Sequence, residues 1–235
     1  MGEFIYIPSG SDRIHSYSAT PDEPNGCGIV LGSAVWGLNF DMVDFAECYA
    51  ALGYTVLAPN LFWREVPEHA IDYDFTQVEF VHGLAERGSD DEGMSDLRAA
   101  GEFLRTQKGC SKVGMLGWCY GGRLACRLAV ETTFESCIGV YPTFLEKHLG
   151  IAGTISRPLT IHIPENDAFA SADAPKVIPA AFKDDPMVET FVYRDAGHGF
   201  DFAPPHRFAN HAAARLCDSR IIRFFDKTLL GADGA

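Results

Sequence analysis

Short apolar runs rich in β-branched residues alternate with helix-period segments along the whole chain, and this alternation restricts the fold more than any other feature. GCGIVLGSAV (Gly26 to Val35), YTVLAPNLF, SKVGMLGW, SCIGVY, PLTIHIP and VETFVYRD read as strands, the first as one covered on both faces. Between them DMVDFAECYAALG reads as a helix with Asp41 as N-cap and Gly53 as stop. MSDLRAAGEFLRTQ reads as a second, with Ser95 or Asp96 near its cap. Further helices are expected after Cys119, from about Ala174 to Phe182, and from about Arg207 to Lys227. Strands alternating with helices over the whole chain imply an α/β fold with a mainly parallel central sheet and helices on both faces. The opening segment is expected to add a short strand or two. Trp63 to Arg87 reads as an excursion over the sheet edge with one helix, and a lid over 63–90 stays open.

At 235 residues and 47% hydrophobic content, with no linker or repeat, a single domain over 1–235 is expected. A formal net charge of −13 repels phosphate backbones and anionic lipid, which argues against nucleic acid and membranes as partners. No apolar run reaches the roughly 18 residues needed to span a bilayer, and no secretion signal is seen, so a cytoplasmic monomer or small homo-oligomer is expected. The seven cysteines are odd in number, scattered and without Cys-x-x-Cys spacing, which points to reduced thiols and no zinc site. Most, Cys48 and Cys137 among them, read as small buried hydrophobes. His206 and His211 are poorly spaced for a metal pair, SDDEG reads as a solvated approach to a helix, and His162 reads as a satisfied core residue. No metal or organic cofactor is expected.

Three loops carry chemistry. VGMLGWCYGGRL runs from a strand through a glycine-rich turn into a helix with Cys119 at its apex, the pattern of a nucleophile elbow with cysteine in the serine place. The small residues at 117, 121 and 122 suit a strained turn where strand and helix approach closely, and the helix behind favours negative charge on sulfur. Asp167 falls just beyond the strand of IHIPEND, and His198 sits between two glycines in DAGHGF. Nucleophile, Asp and His, each at the end of a successive strand, follow the chain order of the α/β-hydrolase triad.

With these motifs in order, together with WGLN before the first long helix, GYTVLAPNLFWR after it and LEKHL beyond the strand that follows Cys119, the chain resembles the dienelactone hydrolase family over nearly its whole length. The resemblance implies an α/β-hydrolase fold and a lactone or carboxylic-ester hydrolase of the carboxymethylenebutenolidase kind, with a place in aromatic-compound degradation. It implies Cys119 as nucleophile, His198 as base, Asp167 as its partner, and the backbone N–H groups of Tyr120 and Val35 as oxyanion hole.

Two departures stand out. Where the family has a glutamate that holds the resting thiol, this chain has Ala34, so a standing ion pair between Cys119 and His198 is expected. The arginines that grip the dienelactone carboxylate are missing: Phe202 takes one place and Val78 falls near the other, while Arg64, Arg87 and Arg123 do not match the pattern. The expected substrate is therefore a less anionic or bulkier ester or lactone, with Ala34, Trp36, Phe40, Phe62, Trp63 and Phe202 as candidate pocket residues. A binding protein that has lost turnover, and a related C–C or amide bond hydrolase, remain as alternatives.

Overall fold

In the computed structural model, whose described residues are 2–66, 79, 83, 89–202 and 209–231, the chain opens with an antiparallel hairpin. Strands β1 (Glu3–Ser9) and β2 (Asp12–Ala19) pair with Ile7 opposite Ile14, and Gly10 turns between them at φ +60°. That φ lies in the left-handed region that glycine enters without a Cβ clash. β2 continues antiparallel to β4 (Thr55–Pro59), and β4 runs parallel to β3 (Cys27–Gly32), with Ile29 beside Val56. Every residue of β3 and β4 is buried, as their continuous apolar runs require.

Helix α1 (Phe40–Ala51) joins β3 to β4. Its N-cap is Asn39, whose side chain accepts the Met42 N–H at 3.2 Å, a contribution of about 1 kcal/mol; Asp41, the expected cap, lies in the first turn instead. Helix α2 (Asp90–Thr106) begins earlier than expected. Ser89 caps it by accepting the Asp91 N–H, and the acidic run is its first turn, where Asp90, Asp91 and Glu92 complement the helix dipole. Asp96, read as a cap residue, is instead buried: it takes both Arg64 guanidinium nitrogens at 2.7 and 3.1 Å and the Trp63 indole N–H at 3.0 Å. The apolar side of α2 reaches β3 closely enough that a Cβ on Gly28 would lie 3.0 Å from Leu104 Cδ1.

The second half repeats the strand and helix alternation. β5 (Lys112–Trp118), α3 (Tyr120–Leu128), β6 (Ser136–Val140), β7 (Leu159–Asn166), α4 (Ala174–Phe182) and β8 (Val188–Gly197) follow in turn. Next comes α5 (His211–Phe225), which runs into a π-helical turn at Asp226–Leu230. β6 and β7, and β7 and β8, pair in parallel, with an irregularity between Pro164 and Asn166. The final helix starts at His211 rather than near Arg207, because the Asn210 side chain caps it by accepting the Ala213 N–H at 3.1 Å. Residues 203–208 lie outside the described residues.

The eight strands form one mostly parallel sheet in the order β1-β2-β4-β3-β5-β6-β7-β8. By packing the chain falls into two compact units, Met1–Met115 and Leu116–Ala235. Among the described residues no helix is long and apolar enough to cross a membrane.

Candidate active site

β5 delivers Cys119 to a backbone conformation, φ 55° and ψ −112°, that a non-glycine residue adopts only at a cost of roughly 1–3 kcal/mol. Three main-chain bonds hold it there. The Cys119 N–H donates to the Val140 carbonyl at 3.0 Å, and its own carbonyl accepts from the N–H groups of Arg123 at 3.0 Å and Thr143 at 3.2 Å. The neighbouring glycines are obligatory for the same turn. A Cβ at 117 would collide with the Gly121 carbonyl, and one at 122 would lie 2.8 Å from the Val140 oxygen. Strand, turn and helix thus converge with no room for side chains, and the thiol stands at the N-terminus of α3.

The loops after β7 and β8 bring two more groups to the same place. His198 Nδ1 lies 2.9 and 3.0 Å from the two Asp167 carboxylate oxygens, and Asp167 is itself fixed by accepting the Phe169 N–H at 2.8 Å. The imidazole is bracketed by the rings of Tyr141, centroids 4.7 Å apart, and Phe169, at 4.9 Å in an edge-on arrangement. With Nδ1 turned to the carboxylate, Nε2 is left for the side-chain hydrogen bond between His198 and Cys119. The Thr143 hydroxyl lies 2.9 Å from the same sulfur.

These contacts bias the charge of both groups. Burial alone would push the Cys119 thiol up, but the positive His198 ring, the bonds from His198 and Thr143, and the Tyr120 N–H together bring it below its ordinary value. Burial likewise works against a charged His198, yet the Cys119 sulfur and the Asp167 carboxylate raise it far above an ordinary histidine. Each partner favours the other's ion, an arrangement that suits a thiolate beside an imidazolium.

A model of the dienelactone hydrolase family matches residues 14–229. The chain belongs to the dienelactone hydrolase family. Its relatives include a carboxymethylenebutenolidase of Pseudomonas sp. strain P51, 29% identical over 220 residues that make up 93% of this chain and 92% of that one. Among solved structures, the dienelactone hydrolase-like promiscuous phosphotriesterase P91 from metagenomic libraries superposes with a TM-score of 0.77 at 18% identity, covering 97% of this chain and 98% of its own. A dienelactone hydrolase from Anabaena variabilis ATCC 29413 gives 0.71 at 14%, with the same coverage. These likenesses show the α/β-hydrolase fold, and family membership makes the chain a hydrolase of ester or lactone bonds.

Against the dienelactone hydrolase pattern, the second unit holds Cys119, Tyr120, Asp167 and His198 together. Phe202 joins their margin: it is buried, with its ring 6.1 Å from that of Tyr141. In the first unit, Ala34 and Val35 are buried in the turn after β3, where the Ala34 carbonyl accepts the Gly37 N–H, and Trp36 is half-buried. Phe62 is buried, whereas Phe40 projects into solvent at 73% exposure. Trp63 is half-buried, donates its indole N–H to Asp96 and lies under the Arg64 guanidinium at 4.4 Å. Arg123 donates to the Thr143 carbonyl at 3.0 Å, which steadies the loop beside the sulfur. Val78, Arg87, His206 and nearly all of the 67–88 stretch lie outside the described residues.

Two further sequence expectations need correction. Cys48 is exposed, because the buried face of α1 is formed by Met42, Ala46, Tyr49 and Ala50. His162 is buried but only half satisfied: Nδ1 meets the Tyr193 hydroxyl at 2.7 Å and the Cys217 sulfur at 3.4 Å, while Nε2 meets no hydrogen-bond partner among the described residues.

Thr143, Tyr141 and Asp201 are site residues that sequence reasoning missed. The available signal was position. Thr143 follows the C-terminal end of β6, on the edge of a parallel sheet where ligand-facing loops gather, and Asp201 comes three residues after the histidine.

Proposed function

We propose that the chain hydrolyses a lactone or carboxylic ester through a thioester on Cys119, with a substrate less anionic than dienelactone. The observation that carries this is the Cys119–His198–Asp167 arrangement, in which the sulfur and the imidazole share one site and each favours the other's ion. The thiolate adds to the carbonyl carbon, and the carbonyl oxygen takes up the negative charge beside the Tyr120 N–H. Collapse breaks the acyl C–O bond, and His198 gives its proton to the departing alkoxide or enolate. The neutral imidazole then takes a proton from water, the hydroxide adds to the thioester, and the sulfur leaves as thiolate. The product acid is released and the thiolate–imidazolium pair is restored. Asp167 holds the ring in one tautomer throughout.

Phe202 favours the less anionic substrate, since it presents an apolar ring next to Tyr141 where the family resemblance calls for a carboxylate-gripping arginine. The test is intact-protein mass after brief exposure to enol lactones and aryl esters, neutral and anionic, with Cys119→Ala alongside because six other thiols are present. A transient acyl mass confined to wild type, with product released faster from neutral esters, is expected. Acylation that survives in Cys119→Ala would remove the nucleophile assignment. Binding without adduct or turnover across the panel would replace hydrolysis by reversible recognition.

A further inference from the structure

The triad leaves one half-buried carboxylate beside it without a role. Asp201 lies three residues after His198, and its two oxygens face different strands: Oδ1 accepts the Tyr141 hydroxyl at 2.7 Å and Oδ2 the Trp118 indole N–H at 2.9 Å. Both donors sit at critical points. Trp118 is the last residue of β5, next to Cys119, and is 1% exposed; Tyr141 is the first residue beyond β6, and its ring forms one side of the bracket around the imidazole.

Tyr141 also takes φ 34°, a conformation that a side chain with a Cβ disfavours, so its place depends on what ties it down. Its N–H donates to the His162 carbonyl at 2.7 Å, and its hydroxyl is tied by Asp201. We propose that Asp201 is a positioning residue: by holding the Tyr141 hydroxyl and the Trp118 indole together, it fixes the His198 ring against the Cys119 sulfur. The proposal rests on Cys119 and His198 being the reacting pair.

The chemistry of the group fits this task. Two converging donors need an acceptor with two free oxygens, which a carboxylate supplies; an asparagine would turn an N–H₂ toward one of them. Burial pushes the Asp201 carboxyl up to about 6, against the pull of the Tyr141 and Trp118 bonds, with Asp218 of α5 adding to the upward push. The anion is thus kept in place at a cost, as is common for groups held for function rather than for stability. Cys217 of α5 feels the same carboxylate, which raises it further.

Asp201→Asn, Tyr141→Phe and Trp118→Phe test the proposal in the full chain. The primary readout is the ultraviolet absorbance of the Cys119 thiolate against pH, taken as a difference from the matching Cys119→Ala background. It needs no substrate, so it stands even if no ester is turned over, whereas absent turnover with an intact thiolate titration would count against the hydrolase assignment alone. For Asp201→Asn the thiolate midpoint is expected to rise by about one unit, roughly a tenfold smaller thiolate fraction on the acid side. kcat should fall by a similar factor with KM little changed. Tyr141→Phe is expected to move the midpoint in the same direction. A wild-type thiolate titration in Asp201→Asn, whatever its melting temperature, overturns the proposal. If that variant does not fold, wild-type titrations in both single-donor variants overturn it instead.

Discussion

Thr143→Val removes one hydroxyl and keeps the side-chain shape, and it isolates what the 2.9 Å contact to Cys119 contributes. The backbone bond from the Thr143 N–H to the Cys119 carbonyl and the Arg123 bond to the Thr143 carbonyl do not involve that hydroxyl, so the elbow should persist. A hydrogen bond to a charged group contributes about 1.5–3 kcal/mol. Because 1.36 kcal/mol corresponds to one pKa unit, the lower figure raises the thiolate pKa by about one unit. The thiolate then keeps two of its three donors, His198 and the Tyr120 N–H. The assay is the rate of Cys119 alkylation by iodoacetamide from pH 4 to 9, with the labelled site confirmed by mass. The acid limb should shift upward by about one pH unit, so alkylation slows by roughly tenfold on that limb and is unchanged on the plateau. An unshifted limb would mean that the hydroxyl does not donate to the thiolate. A downward shift would mean that it accepts from the thiol and stabilises the neutral form, which would refute the argument for a standing ion pair.

Three other outcomes are expected. Asp167→Asn removes the carboxylate that helps to raise His198, so kcat/KM for an activated ester should fall by roughly 10² or more, and the alkylation profile of Cys119 should move toward that of an ordinary thiol. Gly117→Ala forces a Cβ onto the Gly121 carbonyl, and urea unfolding should register a loss of about 1–3 kcal/mol even though the site gains only a methyl group. His162 is held neutral by burial, its pKa lowered to about 3, so the unfolded chain binds the extra proton and stability drops as pH falls from the unfolded value near 6.5 toward 3. At pH 5 this amounts to about 2 kcal/mol, and His162→Gln should reduce the stability difference between pH 7 and pH 5 by that amount in paired urea titrations.

The strands and the triad were legible because each leaves a local mark. A doubly covered strand is a continuous apolar run, as in β3, and an elbow needs its glycines at fixed offsets from Cys119. What could not be read locally depends on partners far along the chain. Asp96 looks like a cap residue until Arg64 and Trp63 are folded onto it across more than thirty positions. Thr143 and Asp201 acquire meaning only when β6 and the loop after β8 are set beside the end of β5. The choice of Asn39 over Asp41 is a matter of two residues, settled by which oxygen reaches the Met42 N–H. Cys48 was misplaced for a different reason: α1 has a weakly segregated face, so composition around the position did not say which way it points.

The seven thiols are chemically unequal, and this sets how the protein ages. Burial drives Cys110, Cys126, Cys137 and Cys217 above an ordinary thiol, while Cys119 alone among the cysteines with a resolved shift lies below it. Peroxide attacks thiolates, so among the cysteines with a resolved shift Cys119 is expected to oxidise first, and under the proposed mechanism its loss removes the nucleophile. A preparation kept in air should therefore lose activity well before it loses structure. Early losses, at the sulfenic acid stage, should be recovered by added thiol, and later ones, at the sulfinic stage, should be permanent.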